Sequence, residues 1–170
     1  TDGERRAVQQ WIDGGGVLLR FAGPRLADDP DGRDDPLVPV TLRPGGRTLG
    51  GAMSWARPAR LAPFTPPSPF AGLAIPGDVM VSRQVLANPA IDLADKTWAR
   101  LADGTPLVTA AKRGQGWLVL VHTSANTEWS NLALSGLFVD MLRRVIGLSH
   151  GAVAQPGGPP LPPLETLDGF

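Results

Sequence analysis

Few side chains in this sequence have the type and spacing to do chemistry. There are two histidines, His122 and His150, and no cysteine. The histidines are not at metal-ligand spacing, and without a thiol there is no disulfide, thiolate metal site or cysteine nucleophile. A metal site would have to be built from carboxylates. The densest acidic group, Asp28, Asp29, Asp31, Asp34 and Asp35, sits among Pro and Gly. It lacks the alternating ligands and closing Glu of an EF-hand, so it reads as a solvated loop. Gly14-Gly15-Gly16 is followed by an apolar run and has no Lys-Ser/Thr pair, so it is not a phosphate loop. No cofactor is expected.

Arg20, His122 and the triplet Trp129-Ser130-Asn131 each carry two readings. Arg20 lies inside the apolar run Val17–Ala22, where a charge is costly unless paired. It reads first as half of an ion pair, or as a side chain escaping at a strand end. The functional alternative is an anion contact at the C-terminal edge of a sheet, where open α/β sheets bind ligands. His122 closes the run Trp117–Val121. A lone His without an acid partner reads as a strand-end side chain bonded to backbone, ahead of a relic base or ligand contact. Ser130 or Asn131 suits the cap of the following helix, with anion binding at that terminus as the alternative. Trp129 reads as a lid on the core.

The elements that must position these residues follow from the pattern. Val8, Trp11 and Ile12 form an apolar stripe on a helix that stops at Gly14–Gly16. Val17–Ala22 reads as a strand buried on both faces, inside a parallel sheet. Residues 38–42 suggest an edge strand because of Pro39. Gly45-Gly46 suggests a turn, 48–55 a further strand, and 58–70 an irregular Pro-rich connection. Residues 79–85 alternate as a half-exposed strand. Asp103-Gly104 signals a hairpin between 97–102 and 106–112, and Arg113–Gly116 a second turn. Together these make an antiparallel meander ending in the strand 117–122. Leu132–Leu148 reads as a helix with Leu134, Leu137, Phe138, Met141, Leu142, Val145 and Ile146 on one face. Residues 1–150 form the domain, and the Pro- and Gly-rich 151–170 a linker or tail.

Sixteen basic and sixteen acidic side chains give a formal charge of zero. That argues against a bulk electrostatic grip on nucleic acid or anionic lipid. No apolar stretch reaches the roughly 18 residues of a membrane span. The chain opens without Met and within a helix pattern, which reads as a boundary inside a longer protein, with the N-terminal part of the domain missing.

The stretch Gly15-Gly16-Val17-Leu18-Leu19-Arg20-Phe21-Ala22-Gly23 resembles the class I glutamine amidotransferase fold, where a Gly-rich turn feeds a buried strand ending in a nucleophile turn. Gly23 matches that turn's Gly, but Phe21 holds the Cys position. Val119-Leu120-Val121-His122-Thr123-Ser124 resembles that family's late His strand, with Ser124 where its Glu would stand. The pattern from Val8 to Ser149 is similar to the amidotransferase-like segment of large bacterial membrane-anchored proteins with an aerotolerance-regulator-type membrane region. Trp11–Pro24, Asp95–Leu107 and Trp129–Leu132 carry that likeness. The resemblance implies a flavodoxin-like, amidotransferase-like sandwich with a mixed sheet and a meander insertion. It implies that Phe21 and His122 end neighbouring strands on one edge of the sheet, the ring beside the imidazole.

The expected function is a non-catalytic ligand-sensing or protein-interaction domain of a membrane-anchored bacterial parent, itself not membrane-spanning. The partner is unknown, and the candidate contacts are Arg20, Phe21, His122, Trp129, Ser130 and Asn131. Two alternatives stand beside it. One is a hydrolase with a non-Cys site completed by the missing N-terminal part, and the other is a structural spacer.

Overall fold

The computed structural model describes residues 2–23, 25–26, 35–49 and 57–149. Helix α1 (Asp2–Asp13) ends where the glycines begin. Gly15 takes a φ of 114°. The Gly16 amide donates to the Trp11 carbonyl at 3.0 Å, and the Gly15 amide to Ile12 at 2.9 Å. This pair of bonds is a Schellman closure, which satisfies helix-end carbonyls and favours a residue without a Cβ at the turn. Of the expected stripe, Ile12 is fully buried and Val8 half-buried. Trp11 is 43% exposed, its indole laid over Gly16.

The strands are β1 (Val17–Phe21), β2 (Leu42–Thr48), β3 (Ala59–Arg60), β4 (Met80–Val81), β5 (Arg83–Ala87), β6 (Thr97–Arg100), β7 (Pro106–Arg113) and β8 (Gly116–Val121), and the second helix is α2 (Gly136–Ile146). The chain is therefore α/β. Its main sheet is mixed, in the order β1-β8-β7-β6, and β2–β5 and β3–β4 form two small pairs. β1 runs parallel to β8, and β6, β7 and β8 form the antiparallel meander. The Asp103-Gly104 turn closes as its sequence predicts. Gly104 has a φ of 86°, and Leu101 and Thr105 are joined by a 2.8 Å backbone bond.

Several expectations need correction. Val17–Ala22 does form a strand, but β1 is an edge strand among the described residues, and all of its residues are half-buried. Its apolar composition reflects packing on its faces, and its only ladder partner is β8. Gly45-Gly46 is no turn: it lies within β2 at a register shift, where Gly45 has a φ of 76°. A bulge needs that conformation as much as a turn does. The strand foreseen at 38–42 is only bend until Leu42. The strand foreseen at 79–85 is broken at Ser82, because the Ser82 and Arg83 amides both turn to the Trp129 carbonyl. Helix α2 starts at Gly136, after a 3-10 turn at Leu132–Leu134. Leu134 and Ile146 are exposed and do not join its buried face. Asp28, Asp29, Asp31, Asp34, His150, residues 50–56 of the second foreseen strand and the tail 151–170 lie outside the described residues.

The two faces of the meander bury different partners. Val108, Ala110, Val119 and Val121 join Leu137, Met141 and Val145 of α2 in the larger core, with Val17, Leu19 and Phe21 packed at its side. On the other face Leu120 clusters with Leu42, Val85 and Trp129. Period-two alternation along β8 is thus satisfied twice, which is why its sequence reads as a continuous apolar run. Each fully buried aliphatic side chain of this kind contributes about 1.5–3 kcal/mol.

The junction of α1, β1 and the β7–β8 turn is tight. Trp117 donates its amide to Gly16, and Gln115 to Asp13, both at 3.0 Å. A Cβ on Gly116 would collide with the carbonyl oxygens of Gly16 and Ile12, which are backbone and cannot swing aside. Gly116→Ala is expected to destabilise the chain by about 3 kcal/mol, the cost of forced overpacking. Gly136 has open space where its Cβ would be, so Gly136→Ala should be neutral or stabilise by up to about 1 kcal/mol. Urea unfolding of both variants checks the contrast; equal midpoints would contradict the close approach.

Candidate functional site

His122 follows the last residue of β8 and is completely buried. Its backbone amide donates to the Leu107 carbonyl at 2.7 Å, and its carbonyl accepts from the Val85 amide at 2.8 Å. The ring is equally occupied. Nδ1 is 2.8 Å from the Val85 carbonyl oxygen, which can only accept, so Nδ1 carries the proton. Nε2 then accepts from the Thr109 hydroxyl at 2.8 Å. Burial drives the imidazole pKa down to about 4, against a smaller upward pull from the Val85 carbonyl. At neutral pH the ring is uncharged, in one tautomer, with no free nitrogen.

Phe21 ends β1, and the register pairs it with Val121. The ends of β1 and β8 therefore share one edge, as the resemblance implies. The side chains do not meet. Phe21 faces α2 with Val121, its ring centroid 5.7 Å from that of Phe138. His122, one residue on, points to the other face and meets Thr109 and Val85. Alternation along paired strands puts consecutive residues on opposite sides, so positions 21 and 122 share an edge but not a pocket. Ser124 is half-buried just beyond.

The remaining candidates are bonded within the fold. Arg20 pairs with Asp35 at 2.7 Å and reaches the Leu37 carbonyl at 3.4 Å. Burial pushes the Asp35 carboxyl up, but the Arg20 hydrogen bond and charge and the Leu37 amide outweigh it and hold it below the usual range. Trp129 is buried in the smaller core, and its carbonyl accepts from Ser82 and Arg83. Ser130 and Asn131 do not cap α2. Ser135 does, accepting from the Phe138 amide. Asn131 instead accepts from the Met80 amide at 2.7 Å and donates to the Asp78 carbonyl at 2.8 Å. Ser130 donates to the Met80 carbonyl and accepts from the Leu132 amide, both at 3.0 Å. The 3-10 turn moves the start of α2 beyond their reach. Among the described residues no group of His, Asp and Glu could hold a metal ion, and no helix is long and apolar enough to cross a membrane.

A second locality has no counterpart in the sequence reading. A cleft of about 680 Å³ is lined by Arg43 and Arg47 of β2, Arg100 of β6, the Asp103–Pro106 turn and the segment from Leu86 to Ala94. Arg47 pairs with Asp103 at 2.7 Å. Thr105 donates its hydroxyl to the other Asp103 oxygen at 2.6 Å and its amide to the same oxygen at 3.0 Å. Burial raises the Asp103 carboxyl, but the Thr105 bonds and Arg47 prevail and lower it. Because the Thr105 proton goes to Asp103, Gln84 must donate to Thr105, which it does from Nε2 at 3.1 Å. Gln84 is fully buried, and its Oε1 has no partner. Only the Asp103-Gly104 turn was legible beforehand, because the arginines come from separate elements.

No protein-family model matches the chain, and no curated protein matches it either.

The sealed imidazole has a pH consequence. The unfolded chain binds a proton at position 122 near pH 6.5, and the folded chain only near pH 4. Between those values the unfolded state holds more protons, so stability rises with pH there. The contribution is complete above pH 6.5 and disappears as pH falls toward 4. Urea unfolding at pH 7.5 and 4.5 should show a loss of about 2–3 kcal/mol. In His122→Asn that difference should largely vanish. An unchanged pH dependence in the variant would show that His122 is not its source.

Proposed function

We propose that the chain is a non-catalytic, amidotransferase-like binding domain, serving as a ligand-sensing or protein-docking part of a membrane-anchored bacterial protein. The observation that carries the non-catalytic reading is the state of His122. A general base needs an accessible ring nitrogen within hydrogen-bond reach of a nucleophile. Both nitrogens of His122 are occupied inside the core, and position 21, where the resembling family has its cysteine, faces α2. The amidotransferase-like, flavodoxin-like reading is supported by the adjacent, parallel β1 and β8 with their ends on one edge. That fold also has its nucleophile strand inside the sheet, so the reading requires one more strand along the outer edge of β1. The membrane-anchored parent rests on the resemblance alone.

Binding to a ligand is favoured over a spacer role by the arginine-lined cleft, a concave surface with polar groups on one side and apolar groups on the other. Docking of a protein is the second reading. It is favoured by the open edge of β1, since an unpaired strand edge is a ready template for another strand.

The test is turnover. The chain and its Phe21→Cys variant are incubated with glutamine and with a panel of ester, amide and phosphoester substrates. Neither should exceed background, because a thiol at position 21 would sit on the face opposite His122. Glutaminase activity in Phe21→Cys that is abolished by a second change, His122→Ala, would overturn the reading. Turnover by the unaltered chain would favour the hydrolase alternative.

A further inference from the structure

We infer that the cleft between β2, the segment 86–94 and the Asp103–Pro106 turn is a binding site for a phosphomonoester whose organic group is apolar. The inference rests on the binding-domain reading and names the ligand class that such a domain would take.

Three arginines and one aspartate line the cleft. Asp103 is committed to Arg47 and is pinned from below by Thr105. Arg100 donates to the Gly104 carbonyl at 3.3 Å and has no carboxylate partner among the described residues. Arg43 is exposed on β2, and no hydrogen bond or ion pair holds it among the described residues. Two guanidinium charges are therefore left for a ligand, which matches a dianion. Guanidinium groups present planar forks of donors suited to phosphate oxygens. In a concave site their field adds and concentrates anions.

The rest of the lining sets the other half of the ligand. Leu86, Ala87, Leu93, Ala94 and Pro106 form an apolar wall beside the arginines. A free inorganic anion would use the guanidinium groups and leave that wall in contact with water. An ester group laid against it removes apolar area from water. The volume of about 680 Å³ accommodates a small organic molecule. The floor is rigid: Gln84 holds Thr105, Thr105 holds Asp103 and Asp103 holds Arg47. Arg47 and Gln84 are also cross-strand partners between β2 and β5. Binding then requires ordering of Arg43 and Arg100 alone, which limits the entropy lost.

The experiment is calorimetric titration of the chain at low salt with phenyl phosphate, inorganic phosphate and benzyl alcohol. Phenyl phosphate should bind saturably, about tenfold more tightly than inorganic phosphate, the worth of a partly buried ring. Benzyl alcohol should not bind. The double variant Arg43→Ala/Arg100→Ala should lose about 100-fold in affinity for phenyl phosphate, roughly tenfold for each charge-assisted contact. Its thermal midpoint without ligand should be unchanged. Arg144→Ala, on the exposed face of α2, should bind as the parent does. Affinity should also fall as pH drops through about 6, where a phosphomonoester loses its second charge. Absence of saturable binding, or full binding by the double variant, overturns the assignment. Equal affinity for phenyl and inorganic phosphate overturns the apolar half. Release of phenol during the titration would overturn the non-catalytic reading instead, so the two failures are distinguishable.

Discussion

Val85 and His122 exchange hydrogen bonds twice: the Val85 amide donates to the His122 carbonyl, and the imidazole Nδ1–H donates to the Val85 carbonyl. This clasp joins β5 to the end of β8. His122 also bonds Leu107 and Thr109 of β7, so every polar group it owns is used. Nearby, the Thr123 hydroxyl donates to the Arg83 carbonyl at 2.8 Å. A buried polar group without partners would cost about 1–3 kcal/mol, so removing the imidazole would orphan both Thr109 and Val85. The completeness that makes the residue structurally useful also leaves it chemically idle. With one nitrogen donating and the other accepting, nothing remains for a substrate.

Consequences of the clasp extend to the cleft. Gln84 precedes Val85 on β5, and both are fully buried. Holding β5 against the meander brings the Gln84 amide to Thr105, and through Thr105 and Asp103 fixes Arg47. A continuous run of hydrogen bonds thus leads from the buried imidazole's strand to a surface guanidinium. The unsatisfied Gln84 Oε1 is the one flaw in that run. Such a cost is tolerated where the other half of the amide is needed in place.

Zero net charge conceals how the charges are distributed. Lys96–Asp92, Arg113–Asp13 and Arg143–Asp140 pair at distances between 2.8 and 3.0 Å on exposed or half-exposed surface. Pairs of this kind contribute little stability. The Arg20–Asp35 pair serves a different purpose: it makes tolerable a guanidinium in an apolar strand. At the cleft the balance is uneven, with three arginines to one aspartate. A composition-level charge excludes a bulk polyanion grip but says nothing of a local field, which depends on which elements are folded together.

By itself the sequence determined the features whose causes lie within a few residues. Gly14–Gly16 ends α1 because a left-handed position is needed there, and Asp103-Gly104 turns β6 into β7 for the same reason. The alternation in β8 and the stripe in α2 reported burial, and the Arg20 ion pair followed from the cost of a lone charge. What only the tertiary structure decided depends on pairings distant in sequence. The edge position of β1 follows from which strands lie beside it, and no pattern within Val17–Phe21 encodes a missing neighbour. Gly45-Gly46 became a bulge because β5 supplied a partner. Ser130 and Asn131 were drawn to β4, and the cap passed to Ser135. Phe21 and His122 were placed on opposite faces by a register fixed at Gly16 and Gly116. The arginine cleft joins residues from β2, β6 and the turn before β7, and a side chain's field reaches through space and not along the chain.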